Sequence, residues 1–150
     1  MKKVKIKAKQ RDAERNVSSL GEFPKTMPAL ARAQRVTERA SRFGFDWPIP
    51  EPVWGKIEEE LNELKTAVSS GEKSRVKEEM GDLLFSLVNL SRFLDLEAEE
   101  ALSRSVDRFL KRFSHIETRV REKGKSLSET SLEEMDLLWE EAKKMERKEL

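Results

Sequence analysis

Residues 74–94 read SRVKEEMGDLLFSLVNLSRFL, and this run decides the fold. Val76, Met80, Leu83, Leu87, Leu90 and Leu94 recur at steps of three and four, the period of an α-helix. A second stripe on the same helix holds Glu79, Asp82, Ser86 and Asn89. Leu84, Phe85 and Val88 make the helix apolar nearly all round, which predicts that it is buried. Asp82 at its edge then needs a cation or a hydrogen-bond donor, because an uncompensated buried charge is costly.

Working outward, proline and glycine punctuate the chain into five predicted helices. The first runs from Pro28 to Phe43, with Thr26 as a candidate cap and Gly44 as the stop. The stretch FDWPIPEP, residues 45–52, carries three prolines and forbids a helix until about Glu51. The second helix extends from there to about Ser69, before Gly71, and the third covers Ser74 to Leu94. The fourth spans Glu97 to Lys123, ahead of Gly124. Ser131 and Glu134 form a capping-box pattern for the fifth, which reaches Arg147. Short connections between such helices predict an antiparallel all-α bundle.

Residues 1–24 read as a basic flexible tail or linker, and 25–150 as the helical domain. Lys2, Lys3, Lys5, Lys7, Lys9, Arg11 and Arg15 dominate the tail, where Val4, Ile6 and Ala8 alternate as a short strand would. No aromatic residue interleaves these lysines, so nucleic acid is not the expected partner. There is no apolar run behind the basic residues, and Leu83–Leu90 falls far short of the roughly 20 residues of a membrane span. The expected compartment is the cytoplasm, with no membrane partner.

Composition narrows the chemistry. In 150 residues, 30 Lys and Arg balance 29 Asp and Glu, so no strong global field points to a polyanion. Cysteine is absent, which excludes thiol nucleophiles, zinc ribbons and iron–sulfur clusters. His115 is the single histidine, too few for a multi-histidine metal site. It follows no acid at the spacing a di-iron bundle needs and reads as a packing residue. With no tyrosine and no GxSxG, any chemistry falls to carboxylates, Lys, Arg and a hard metal.

The acids are arranged for such chemistry. On the second helix the apolar stripe is Trp54, Ile57, Leu61, Leu64 and Val68, while Lys56, Glu60, Glu63 and Ala67 form a separate one. Glu60 and Glu63 share a face, as do Glu79 and Asp82 on the third helix. Antiparallel packing of the two helices brings four carboxylates together. Their repulsion is relieved by raised pKa values or by a divalent cation, and all-oxygen donors select Mg²⁺, Mn²⁺ or Ca²⁺. On the fourth helix Leu102, Val106, Phe109, Phe113, Ile116 and Val120 form a packing seam, a core or a dimer face.

The order EExxE (Glu59–Glu63), fifteen residues, then ExxD (Glu79–Asp82) resembles the signature of MazG-type nucleoside triphosphate pyrophosphohydrolases. Gly44-Phe-Asp-Trp47, Glu78–Phe85, Val88-Asn-Leu90, Phe109–Phe113, Trp139 and Lys143 are also similar to family sequence, so the likeness covers roughly Pro24 to Arg147. It is to the C-terminal of the two domains in longer bacterial members; one copy is present here, and its basic N-terminus looks like their linker.

The resemblance implies an all-α homodimer that hydrolyses NTP or dNTP to monophosphate and pyrophosphate, with Mg²⁺, or Mn²⁺ as the alternative, as cofactor. By position, Glu60, Glu63, Glu79 and Asp82 match the family's metal ligands, and Lys56 and Glu59 line the nucleotide site. Glu59 or Glu60 is the expected acceptor of the water proton. Arg108 and Arg112 match the basic pair facing the triphosphate, Trp139 and Lys143 a further pair at the nucleotide. Arg75 stands where relatives carry Lys, and Asn89 continues the Asp82 line toward sugar or phosphate. Within the same class, pyrophosphatases narrow for dUTP, dCTP or phosphoribosyl-ATP are the alternative. Outside it stands a helical regulator that binds nucleotide without turnover.

Overall fold

A computed structural model describes residues 18–150, all of whose regular structure is helical. The helices are α1 (Ala29–Arg42), α2 (Glu51–Ser70), α3 (Lys73–Phe93), α4 (Ala98–Glu122) and α5 (Leu132–Lys148), with one 3₁₀ turn at Leu127–Glu129. The predicted basic stretch and its Val4/Ile6/Ala8 alternation lie outside the described residues. The described chain forms two compact units, dividing between Glu99 and Glu100.

The helix ends follow local chemistry. Pro28, rather than Thr26, is the cap of α1, and its carbonyl accepts from the Arg32 N–H at 2.9 Å. Gly71 closes α2 at φ +74°, a conformation that a side chain would disfavour. Ser131 caps α5, its hydroxyl accepting from the Glu134 N–H at 3.2 Å.

In the first unit α3 packs chiefly on α2 and also on α1. Gln34 of α1 is buried at 2% exposure, and its amide closes the turn between α3 and α4. Nε2 donates to the Leu96 carbonyl and Oε1 accepts from the Ala98 N–H, each at 2.8 Å. That N–H opens α4 and has no carbonyl within its own helix to meet. Arg35 adds an ion pair to Glu97 at 2.6 Å. Arg39 donates to the Leu20 carbonyl at 2.8 Å and lies over the Phe23 ring, which holds residues 20–23 to α1.

The buried faces differ from those predicted. On α2 the buried residues are Val53, Glu60, Leu64 and Ala67, whereas Trp54, Leu61 and Val68 of the predicted core stripe are exposed. On α3 Ser86, Val88 and Leu90 are buried, while Met80, Leu84, Phe85 and Leu87, and Leu94 that caps its end, are exposed. The contact between the two helices thus runs along the face that carries the acids. Two neighbouring helices cover only part of the circumference of α3, so its all-round apolarity leaves one side open.

In the second unit Ile116, Val120 and Leu138 form a small core, joined by Phe113, Leu127, Met135 and Trp139. Only the C-terminal half of the predicted α4 seam is packed there; Leu102, Val106 and Phe109 are exposed.

Candidate metal centre

The acids on α2 and α3 meet because both helices present them on their contact face. Carboxylate oxygens of Glu60, Glu79 and Asp82 lie within 4.8 Å of one another. Glu60 is buried, Glu79 half-buried and Asp82 exposed, so the group opens to solvent on one side. Glu63, the fourth expected member, is not in this group; its Oε2 stands 3.3 Å from Arg75 Nη2.

The electrostatics follow from this crowding. Desolvation, then the charges of Glu63, Glu60 and Asp82, push the Glu79 carboxyl above its ordinary range, opposed by Arg75. Lys56 Nζ lies 2.8 Å from Glu60 and 3.1 Å from Glu59, and these pairings raise its pKa above the usual lysine value. Three converging carboxylates with one crowded member, all oxygen donors, fit a hard divalent cation.

The remaining residues of the α3 line are engaged differently. Ser86 donates back to the Asp82 carbonyl at 2.9 Å. Asn89 Oδ1 accepts from Arg92 at 2.9 Å, and Arg92 also grips Asp46 in the loop before α2. Asp46 lies in the Gly44–Trp47 stretch already singled out in the sequence, whereas Arg92 and Gln34 carry no periodic signal that marks their contacts.

The other predicted residues lie in the second unit. Arg112 pairs with Glu146 at 2.8 Å and sits 5.3 Å from the Trp139 ring centre. The guanidinium holds the Glu146 carboxyl below its usual range. Trp139 packs tilted on Phe109, with centroids 5.2 Å apart. Lys143 pairs with Glu140 at 3.2 Å, and Arg108 donates to Ser105 at 2.9 Å. His115 and Arg119 share Glu141, at 3.5 and 3.4 Å.

Helical architecture and a solvent-open cluster of three carboxylates on adjacent helices define an all-α domain with a candidate hard-cation edge. Residues 51–117, from the start of α2 into α4, match the MazG nucleotide pyrophosphohydrolase domain. It is 46% identical over 138 residues to the nucleoside triphosphate pyrophosphohydrolase/pyrophosphatase MazG of Thermotoga maritima, covering 92% of this chain and 52% of that protein. To the nucleoside triphosphate pyrophosphohydrolase of Escherichia coli K12 it is 36% identical over 143 residues, 94% of this chain and 54% of the relative. The uncharacterized protein YabN of Bacillus subtilis matches at 44% over 140 residues, 29% of its own length. The chain thus spans about half the length of the first two relatives.

Proposed function

We propose that this chain hydrolyses nucleoside triphosphates to monophosphate and pyrophosphate with Mg²⁺, or Mn²⁺ in its place. The observation that carries this reading is the convergence of Glu60, Glu79 and Asp82 from two helices. These three would hold the cation, with Glu63 as a fourth donor. Bound there, a cation would supply Lewis acidity toward the phosphoryl oxygens and lower the pKa of a water.

The chain's own groups do the rest. Glu59 is exposed, pairs with Lys56 and stands outside the carboxylate group, which supports its carboxylate as the acceptor of an attacking water's proton. Glu60, buried against Lys56, is fixed in place by that pair and suits a ligand better than a mobile base. Lys56 offers positive charge next to the acids. Arg108, Arg112, Lys143 and Trp139 are assigned to the nucleotide by the family resemblance. Cations there would offset the charge that the departing pyrophosphate gains.

The exposed rows Trp54/Leu61/Val68 and Met80/Leu87/Leu94 support assembly as a homodimer. No helix among the described residues is long and apolar enough to cross a membrane, and the cytoplasm is the proposed compartment. The test is incubation with a panel of NTPs and dNTPs, with Mg²⁺ or with EDTA, and identification of products. Monophosphate and pyrophosphate only with Mg²⁺ supports the reading. Metal-dependent binding without turnover would support a regulator, and turnover of one substrate alone would support the narrow pyrophosphatases.

A further inference from the structure

Glu63 shares a face of α2 with Glu60, yet only Glu60 joins the carboxylate group. The difference lies in Arg75, on the first turn of α3. Its Nη2 is 3.3 Å from Glu63 Oε2, twelve positions earlier across the Gly71 turn. Its Nε is 3.9 Å from Glu79 Oε1, one turn further along α3. One guanidinium therefore bridges a carboxylate outside the group and one inside it. A guanidinium keeps its charge at every working pH, so this bridge cannot be relieved by loss of a proton.

We infer that Arg75 is an internal counter-ion that competes with the metal: it draws Glu63 away from Glu60, Glu79 and Asp82, and a divalent cation gains Glu63 only by displacing it. This rests on the metal-site reading above. Two consequences follow. Arg75 weakens cation binding in the free protein by occupying one donor and by adding a like charge beside the site. It also couples the cation to an anionic ligand, because any anion that draws the guanidinium away from Glu63 returns that carboxylate to the metal. Arg75 is thus a positioning residue for Glu63.

The test is Mn²⁺ binding to the full chain by electron paramagnetic resonance, without nucleotide. Arg75→Gln is expected to tighten Mn²⁺ binding by about 3- to 10-fold, the sum of releasing the Glu63 carboxylate and removing one nearby charge. In a Glu63→Gln background the same change should give a clearly smaller tightening, about 2-fold, since only the charge effect remains and no held carboxylate is left to be released. Arg75→Lys should restore most of the wild-type affinity. Both positions are part-exposed at 39% and 48%, so helicity by circular dichroism is expected to stay unchanged.

Equal or weaker Mn²⁺ binding in Arg75→Gln overturns the inference, as does equal tightening with and without Glu63. If the wild type and Glu79→Gln bind Mn²⁺ alike, the metal site itself is refuted and the competition with it. That outcome differs from a functioning site indifferent to Arg75.

Discussion

Asp46 and Arg92, 46 positions apart, form a two-pronged ion pair: Nη2 lies 2.6 Å from Oδ1 and Nη1 2.9 Å from Oδ2. It fastens the loop that precedes α2 to the last turns of α3, and Asn89 Oδ1 shares the same guanidinium. The Arg92 and Asp46 side chains are 15% and 24% exposed, so solvent screens the pair only in part.

This pair has a definite pH signature. The Arg92 bond is the largest cause holding the Asp46 carboxyl below its ordinary range, so Asp46 binds its proton less readily folded than unfolded. Its contribution is complete above the ordinary carboxylate range and is lost as pH falls through the folded value. Asp46→Asn is expected to destabilise by about 1–3 kcal/mol at neutral pH. The gap between wild-type and variant melting temperatures should close toward acid pH; a gap that persists there would contradict the assignment.

Gln34 makes a sharper demand, because it both donates and accepts. Gln34→Leu leaves the Ala98 N–H and the Leu96 carbonyl without their partner and should destabilise by about 2–3 kcal/mol in urea unfolding. Gln34→Glu keeps the acceptor but loses the donor, so it should be destabilising at neutral pH and recover on acidification. Neutral behaviour of both variants would place the turn's stability elsewhere.

Glu79 predicts opposite effects with and without metal. Its folded pKa is raised, so ionisation opposes folding, and the penalty appears as pH rises from the unfolded value through the folded one. Glu79→Gln is therefore expected to raise the melting temperature of the metal-free protein at neutral pH and to have little effect at low pH. The same variant should lose stabilisation by Mg²⁺ and lower pyrophosphate release at least about 100-fold. A variant that melts lower than wild type without metal would show that Glu79 is structural.

The exposed rows on α2 and α3 predict association. Light scattering should give twice the chain mass, and Leu87→Asp should shift it toward one chain. A wild-type protein that stays monomeric at high concentration would assign these rows another partner.

The helix boundaries were legible because proline and glycine mark them: α2 begins within the proline-rich loop, and Gly71 and Gly124 both adopt positive φ. That Glu60 and Glu63 share one helix face, and Glu79 and Asp82 another, was legible because spacing of three fixes a common face; that Glu63 stands outside the carboxylate group was not. Which face is buried was not legible. Trp54, Leu61 and Val68 look like a core stripe, but hydrophobic spacing does not say whether the chain itself or another molecule covers it. The Arg75–Glu63 bridge and the Gln34 clasp depend on a turn geometry and on a contact 64 positions distant, and neither leaves a periodic trace.

The central claim is tested most directly by turnover of a dNTP in ¹⁸O-labelled water with Mg²⁺, followed by mass spectrometry of both products. Attack at the α-phosphorus predicts label in the monophosphate, none in the pyrophosphate, and neither product from Glu79→Gln. Label in the pyrophosphate, or labelled inorganic phosphate released with a diphosphate, would contradict the account.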